Sequence, residues 1–494
     1  MILRINGQIK PYYVQTLAMI FFPGAKFPEN EEENCDTVVI DVDLNEADGK
    51  VDASVTMKQG DRKSEGRASI LLSESDPEKS RKIAAGDAFM KAGRDFTGIT
   101  PPWGILTGVR PAKVATDYLK KGYSPTDAAR AISDEYFVSE TKSKLAVDVA
   151  VAEDRLITDE TRRECSIYVG IPFCPTRCAY CSFVSYTSPK LLKLIPEYLD
   201  ALMVDIDGVF SVVKDLGMRV STVYIGGGTP TVLDAEGLSR LLGKIREHAS
   251  SLDEFTCEAG RPDTITPEKL SVISSYGVDR ISVNPQTLNG EVLEKIGRAH
   301  TTDMFYKAYE NARSAGIKNI NVDLIAGLPY DTTESFKHSI DGIIALDPEN
   351  ITVHTFSVKR SSEFKTEGKF DPASVIAAES VEYSQSRLLE SGYLPYYMYR
   401  QKNTVGNQEN VGYAKPGHEG LYNVYMMEEV HSIFSAGASA VTKLVSLPDS
   451  EGNVRIERLF QPKYPYEYLD NFRGEKREEK LNELKKTSKE FFTK

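Results

Sequence analysis

Three of the chain's six cysteines, Cys174, Cys178 and Cys181, fall within eight residues in the stretch Tyr168-Val-Gly-Ile-Pro-Phe-Cys174-Pro-Thr-Arg-Cys178-Ala-Tyr-Cys181-Ser-Phe183. Spacings of four and three would put them on one helical face. Pro172 and Pro175 oppose that, because each ring removes a backbone donor and clashes with the preceding turn, so the segment reads as a loop. A structural zinc ion needs four ligands, and no second Cys-x-x-Cys or His pair lies nearby. Three thiolates on a loop suit a four-iron four-sulfur cluster with one iron left open, which serves chemistry rather than simple electron storage. The helix and the zinc module remain as alternatives. Cys35, Cys165 and Cys257 sit singly on apolar, strand-like stretches and read as small buried hydrophobes.

A loop of this kind must hang from a scaffold, and the sequence supplies one. From Cys165 onward six short β-branched runs, Ser166 to Val169, Thr222 to Ile225, Phe255 to Cys257, Arg280 to Val283, Ile320 to Leu324 and Ile351 to Phe356, alternate with amphipathic helical stretches. The helices are expected at Ile195 to Leu216, Ala235 to Ala249, Pro267 to Tyr276, Thr302 to Ala315 and Thr333 to Leu346. This alternation predicts an α/β fold with a parallel sheet or partial barrel. The cysteine loop follows the first run, Gly226-Gly-Gly-Thr229 the second and Glu258 the third, where barrel active sites are built. The glycine turn matches neither common phosphate-binding pattern, and its glycines are expected to let backbone approach a small ligand closely. The plain alternative for Glu258 is a surface glutamate.

Ahead of this lies an α+β module. Thr37 to Leu44 and Lys50 to Met57 alternate around Ala47-Asp48-Gly49 as a hairpin, Ala68 to Leu72 adds a strand, and helical patterns run from Asp76 to Asp154, interrupted at Thr100 to Gly104. Beyond Lys359 come a tyrosine-rich stretch, a glycine-studded loop from Thr404 to Gly420 and a Lys/Glu-dense tail from Phe472 that reads as a solvated helix. The expected domains are residues 1–160, 161–365 and 366–494.

The chain has 494 residues, 41% hydrophobic and 27% charged, with a formal charge of -12. That composition is globular, excludes a small disulfide-stapled fold and disfavours a polyanionic partner such as nucleic acid. The apolar run Leu17 to Phe22 is far short of a membrane span, and Met1 to Tyr13 lacks a signal-peptide pattern, so a cytoplasmic protein is expected.

The Cys-x3-Cys-x2-Cys pattern with an aromatic before its last cysteine resembles the radical S-adenosylmethionine superfamily. Tyr168 to Phe183, Gly226-Gly-Gly-Thr-Pro-Thr231, Arg280-Ile-Ser-Val283, Gly297-Arg-Ala-His300 and Asn321-Val-Asp-Leu-Ile-Ala-Gly-Leu-Pro329 are similar to the oxygen-independent coproporphyrinogen III oxidase family. The long N-terminal module, with Thr404-Val-Gly-Asn-Gln-Glu-Asn410, is similar to its coproporphyrinogen dehydrogenase (HemZ-type) branch. The resemblance implies a partial (βα)6 barrel with the N-terminal α+β module and a smaller C-terminal domain that covers the substrate. It implies a 4Fe-4S cluster on Cys174, Cys178 and Cys181, and S-adenosylmethionine held by Tyr168, Tyr180, Gly227, Gly228, Thr229, Glu258, Gln286, Arg298, Asp323 and Ser357. The implied reaction is oxidative decarboxylation of two coproporphyrinogen III propionates to vinyl groups, started by a deoxyadenosyl radical, with a reductant such as flavodoxin or ferredoxin.

Two positions depart from the dedicated oxidases: Phe183 stands where they carry a fourth cysteine, and Gly170 where they carry a histidine. The haem-chaperone branch also lacks that cysteine but carries His-Asn-x-x-Tyr-Trp, where this chain reads Tyr422-Asn-Val-Tyr-Met-Met427; its single tryptophan is Trp103. A radical enzyme is the leading expectation, with a haem chaperone and a non-catalytic metal module as alternatives. Since the net charge opposes a ligand with four carboxylates, local cations are required. Lys359, Arg360, Arg400 and Lys402 are the candidates, with Arg360 and Arg400 preferred for their bidentate geometry, the alternative being solvated surface charges.

Overall fold

The computed structural model describes residues 1–28, 33–108, 110–181, 185–357, 375–401, 404–450, 452–473 and 475–493. They fall into two compact units: the first centres on Met1–Val151 and takes in Met398–Glu409, and the second holds most of the remainder.

The first unit is built on a four-stranded sheet in the order β1 (Ile2–Asn6), β2 (Val39–Ala47), β3 (Lys50–Gln59), β4 (Arg62–Leu71). The expected hairpin forms with Ala47 opposite Lys50, and both turn residues take positive φ, 52° at Asp48 and 71° at Gly49, the geometry that matches strand twist. β1, parallel to β2, has no counterpart among the sequence expectations. Helices Pro11–Phe21 and Pro77–Thr97 press Val14, Leu17, Phe89 and Ala92 onto Val42, Val55 and Met57. The second of these starts where Asp76 caps the Lys79 N–H and ends at Gly98 in the left-handed region.

In the second unit, β5 (Cys165–Ile171), β6 (Val220–Gly227), β7 (Glu254–Glu258), β8 (Arg280–Ser282), β9 (Asn319–Ala326) and β10 (Asn350–Thr355) pair in parallel in chain order. Helices Ile195–Asp215, Ala235–His248, Pro267–Ser275, Thr302–Ser314 and Thr333–Ala345 carry the chain back between strands. All six strand runs and all five helices therefore form as expected. One face of the strands is wholly buried and apolar, with Ile167, Val169, Val223, Ile225, Phe255, Ile281, Val322 and Leu324. Their neighbours of opposite parity, Tyr168, Tyr224, Thr256, Glu258, Ser282, Asn321, Asp323, Thr352 and His354, are polar. Strand geometry puts successive residues on opposite faces, so helices cover the first face while the second lines the partial barrel's interior.

The sheet extends beyond the barrel. β11 (Leu394–Arg400) and β12 (Glu409–Ala414) continue it past β10, with β12 antiparallel to β10. On the other side β13 (Ser432–Ala436) runs parallel to β5, followed by antiparallel β14 (Val441–Val445) and β15 (Ile456–Phe460). Residues 366–494, expected as a separate smaller domain, thus contribute strands to both ends of the barrel sheet. β13 satisfies the backbone edge that β5 would otherwise expose. The loop expected from Thr404 to Gly420 contains β12, and Cys35 lies exposed in a turn rather than on a buried strand, while Cys165 and Cys257 are buried as expected.

The tail forms the expected helix, Glu475–Thr493, yet Phe491 is buried and Leu481 packs where Gly208 leaves room on helix Ile195–Asp215. Among the described residues no helix is long and apolar enough to cross a membrane.

Candidate active site

The chain leaves β5 through Pro172 and Phe173, whose ring packs edge-on against Tyr198 with centroids 5.2 Å apart. The loop then closes on itself: Tyr186 N–H donates to Pro172 O (2.9 Å) and Cys174 N–H to Tyr186 O (3.2 Å). Cys181 N–H donates to Cys178 O (3.0 Å), and Ala179 N–H reaches across to Ile296 O (3.0 Å). Cys174 is buried, which pushes its thiol above the ordinary value, while Cys178 and Cys181 are partly exposed. Among the described residues no three His, Cys, Asp or Glu side chains are grouped as a single ion would need. A cluster instead takes each thiolate on its own iron.

The turn after β6 seats directly on this loop. Gly228 N–H donates to Ile171 O (2.7 Å), Thr229 N–H to Phe173 O (2.8 Å), and Thr229 Oγ1 lies 3.3 Å from Cys174 Sγ. Gly227 has φ 113°, where a side chain is strained, and a Cβ at Gly228 would stand 2.5 Å from Phe173 O and 3.0 Å from Cys174 Sγ.

Glu258 ends β7. Its carboxylate accepts a short hydrogen bond from Tyr224 Oη and another from the Gly227 N–H, yet burial, with Asp323 adding its charge, pushes it up to about 7. Asp323 on β9 accepts from Asn284 Nδ2 (2.8 Å) and Asn321 Nδ2 (2.7 Å), with His354 Nε2 at 3.7 Å. Gln286, buried with φ 69°, donates its N–H to Asp323 O (3.1 Å) and accepts from Ile325 N–H (2.9 Å), which fixes the exit of β8 onto β9. Arg298 Nε donates to Tyr180 Oη (3.1 Å) and its Nη1 to Gly260 O (3.2 Å). Ser357 directly follows the last residues of the β10 run. Tyr168 stacks with Tyr224 at 6.3 Å, and Tyr224 with Tyr422 at 4.5 Å.

All ten residues expected to hold S-adenosylmethionine, and the three cysteines, are therefore in the second unit, most of them at or just past the C-terminal ends of β5 to β10. Arg400 is not among them. It is buried in the first unit, where its guanidinium donates to Leu106 O and Asn407 Oδ1 (2.6 Å) and lies 5.5 Å from the Trp103 ring centroid. Burial lowers its pKa to about 10. A side chain so engaged is a structural cation, which corrects its assignment as a propionate ligand. Arg360, Lys359, Lys402 and Phe183 lie outside the described residues.

Sequence reading missed Tyr224, Asn284, Tyr422 and Arg261. Arg261 had a signal, three residues past Glu258 beyond a strand end. Tyr422 stood out only as a departure from the chaperone motif, since the fold alone brings its helix, Leu421–Met427, to the interior of β5 and β6.

A parallel α/β sheet with three thiols after its first strand and carboxylates on its third and fifth defines a radical S-adenosylmethionine protein, and the Radical SAM superfamily model matches residues 168–343. The chain is 36% identical over 473 residues to the oxygen-independent coproporphyrinogen-III oxidase-like protein HemZ of Bacillus subtilis, covering 93% of this chain and 92% of that one. It belongs to that oxidase-like family within the radical SAM superfamily. It is also 34% identical over 281 residues to the haem chaperone HemW of Bacillus subtilis, covering 55% of this chain and 70% of the relative. Among solved structures, coproporphyrinogen III oxidase HemN from Escherichia coli is 25% identical, with 65% of this chain and 71% of that chain covered and a TM-score of 0.49.

Members of the superfamily use a 4Fe-4S cluster and S-adenosylmethionine. The residues present fit both: three thiols on one loop, a glycine turn whose missing side chains leave a cradle beside Cys174, and two carboxylates to face a sulfonium.

Proposed function

We propose that the chain is a radical S-adenosylmethionine enzyme that decarboxylates two propionate side chains of coproporphyrinogen III to vinyl groups, giving protoporphyrinogen IX. The observation that carries the radical reading is the juxtaposition of Glu258 and Asp323, on strands two apart, with the thiol loop of Cys174, Cys178 and Cys181. The cofactors, when bound, supply a carbon radical that abstracts hydrogen. This chain's residues do the rest. Glu258 and Asp323 oppose the positive sulfonium, the Gly227 and Gly228 backbone lets the ligand approach closely, and Arg298 with Tyr180 closes the side facing Gly260. Each propionate loses a hydrogen atom, carbon dioxide and one electron, the electron passing to a one-electron acceptor.

Relationship over almost the full length to an oxidase-like protein supports the substrate choice. The likeness to a haem chaperone raises a second reading, which Tyr422 counts against: at the place of the chaperone motif's histidine it offers a phenol packed on Tyr224. We place the enzyme in an anaerobic, cytoplasmic setting with flavodoxin or ferredoxin as reductant.

The test is anaerobic reconstitution, reduction and incubation with S-adenosylmethionine, with 5′-deoxyadenosine as product, then turnover of coproporphyrinogen III followed by mass spectrometry. Absence of 5′-deoxyadenosine refutes the radical reading. Its formation without vinyl products refutes the substrate, and retention of haem on a sizing column under those conditions favours the chaperone.

A further inference from the structure

Arg261 is 4% exposed and points back from the turn after β7 to the arch between the first two cysteines. Its Nη1 donates to Thr176 O (3.1 Å) and lies 3.5 Å from Cys178 Sγ, and its Nη2 donates to Thr176 Oγ1 (2.8 Å). The guanidinium is held from behind by Asp263, with Nε to Oδ1 and Nη2 to Oδ2 both at 3.2 Å. One planar cation therefore grips the backbone of the arch, its one hydroxyl and the sulfur of one cysteine, and a bidentate carboxylate fixes its orientation. Arg298, also buried, directs its hydrogen bonds to Tyr180 Oη and Gly260 O, so its pull on Cys178 is through charge alone.

We propose that Arg261 is a positioning residue for the iron-sulfur cluster that also sets its reduction potential. The inference rests on reading Cys174, Cys178 and Cys181 as cluster thiolates. Reducing a cluster adds negative charge, and both hydrogen bonds to the ligating sulfurs and nearby net charge move its potential. A guanidinium beside one sulfur stabilises the reduced state, and burial leaves that effect little screened. Arginine suits the task because its planar fork reaches Thr176 and Cys178 together. Thr176 divides the work: its carbonyl and hydroxyl take the grip on the arch, which leaves the approach to Cys178 to charge.

The experiment uses the full chain, reconstituted anaerobically with iron and sulfide, as wild type, Arg261→Gln, Arg261→Lys and Asp263→Asn. Bound iron is measured first, then the midpoint potential by titration followed with electron paramagnetic resonance. Arg261→Gln should hold iron but show, at a fixed potential, a reduced-to-oxidised ratio about tenfold lower, a shift of about 59 mV for one electron. Arg261→Lys should stay near wild type, and Asp263→Asn, which keeps the cation and removes its counter-charge, should shift the other way. An unmoved midpoint in Arg261→Gln, or an equal shift in Arg261→Lys, overturns the proposal. If Arg261→Gln holds no iron, Asp263→Asn decides, and no shift there overturns it. Wild type holding no iron would instead refute the cluster reading itself.

Discussion

Glu258 is kept out of water between Tyr224, Gly227 and Asp323, and its pKa, pushed by burial up to about 7 from an ordinary 4.5, makes it a pH-sensitive group of the site. The folded chain holds a proton that the unfolded chain releases between those values. The stability contributed is complete below about 4.5 and lost as pH rises through about 7. Glu258→Gln should therefore raise the apoprotein's Tm at pH 8 by a few degrees, while weakening S-adenosylmethionine binding about tenfold to a hundredfold. Wild-type affinity should itself rise from pH 6 to pH 8 as the carboxylate ionises. Calorimetry and equilibrium dialysis at the two pH values check both, and a pH-independent wild-type affinity would contradict the role of the charge. Arg400 belongs to a different set of contacts, beside Trp103, whose Nε1 donates to Glu409 Oε2 (2.7 Å) while Lys142 Nζ pairs with Oε1 (2.5 Å). Arg400→Ala should cost about 1 to 3 kcal/mol, followed in urea by the fluorescence of Trp103, with turnover per folded molecule unchanged. A selective loss of turnover at full stability would restore Arg400 to the substrate set.

At the scale of elements, the site depends on two adjacent strands ending at the same level. The registers Tyr168 opposite Tyr224 and Gly170 opposite Gly226 bring the cysteine loop and the glycine turn side by side, and two backbone hydrogen bonds join them. Gly228→Ala should drive a methyl into Phe173 O and Cys174 Sγ, so that reconstituted iron and cofactor binding fall together while the far-ultraviolet circular dichroism stays as in wild type. Full iron loading in that variant would mean that the loop yields freely. The six barrel runs were legible because short β-branched runs closed by polar or glycine residues alternate with helix-length amphipathic stretches, and the hairpin because Asp48-Gly49 carries its turn chemistry. β13 was not legible: Ser432–Ala436 is buried at every position, a pattern that periodicity cannot distinguish from a helix segment.

For the whole molecule, the C-terminal region completes the barrel's first strand. Asp205 accepts from the Gly437 N–H and from Tyr468 Oη, both at 2.8 Å, while Tyr198 Oη donates to Gly170 O (2.7 Å) and accepts from the Ala438 N–H (2.9 Å). This network ties helix Ile195–Asp215 and the turn after β13 to the strand that carries the cysteines. A chain truncated after Glu429 should consequently lose cooperative unfolding and iron together, measured by calorimetry and iron analysis. Retention of wild-type iron by the truncated chain would show that β5 needs no neighbour on that side.

The sequence by itself determined the spacing of the cysteine loop, the order of the six βα units and the strand-end positions of Gly226 to Thr229 and Glu258, because these rest on spacing and local periodicity, whereas Asp323, inside β9, was marked only by the family resemblance. Tertiary structure alone decided that Arg400 is buried against Trp103 and that Arg261 reaches Cys178. It also decided that Tyr422 stacks on Tyr224 and that residues beyond 400 return to pair with β5. Those contacts join positions tens to hundreds of residues apart. Their free energy comes from desolvation and backbone pairing that no local pattern encodes.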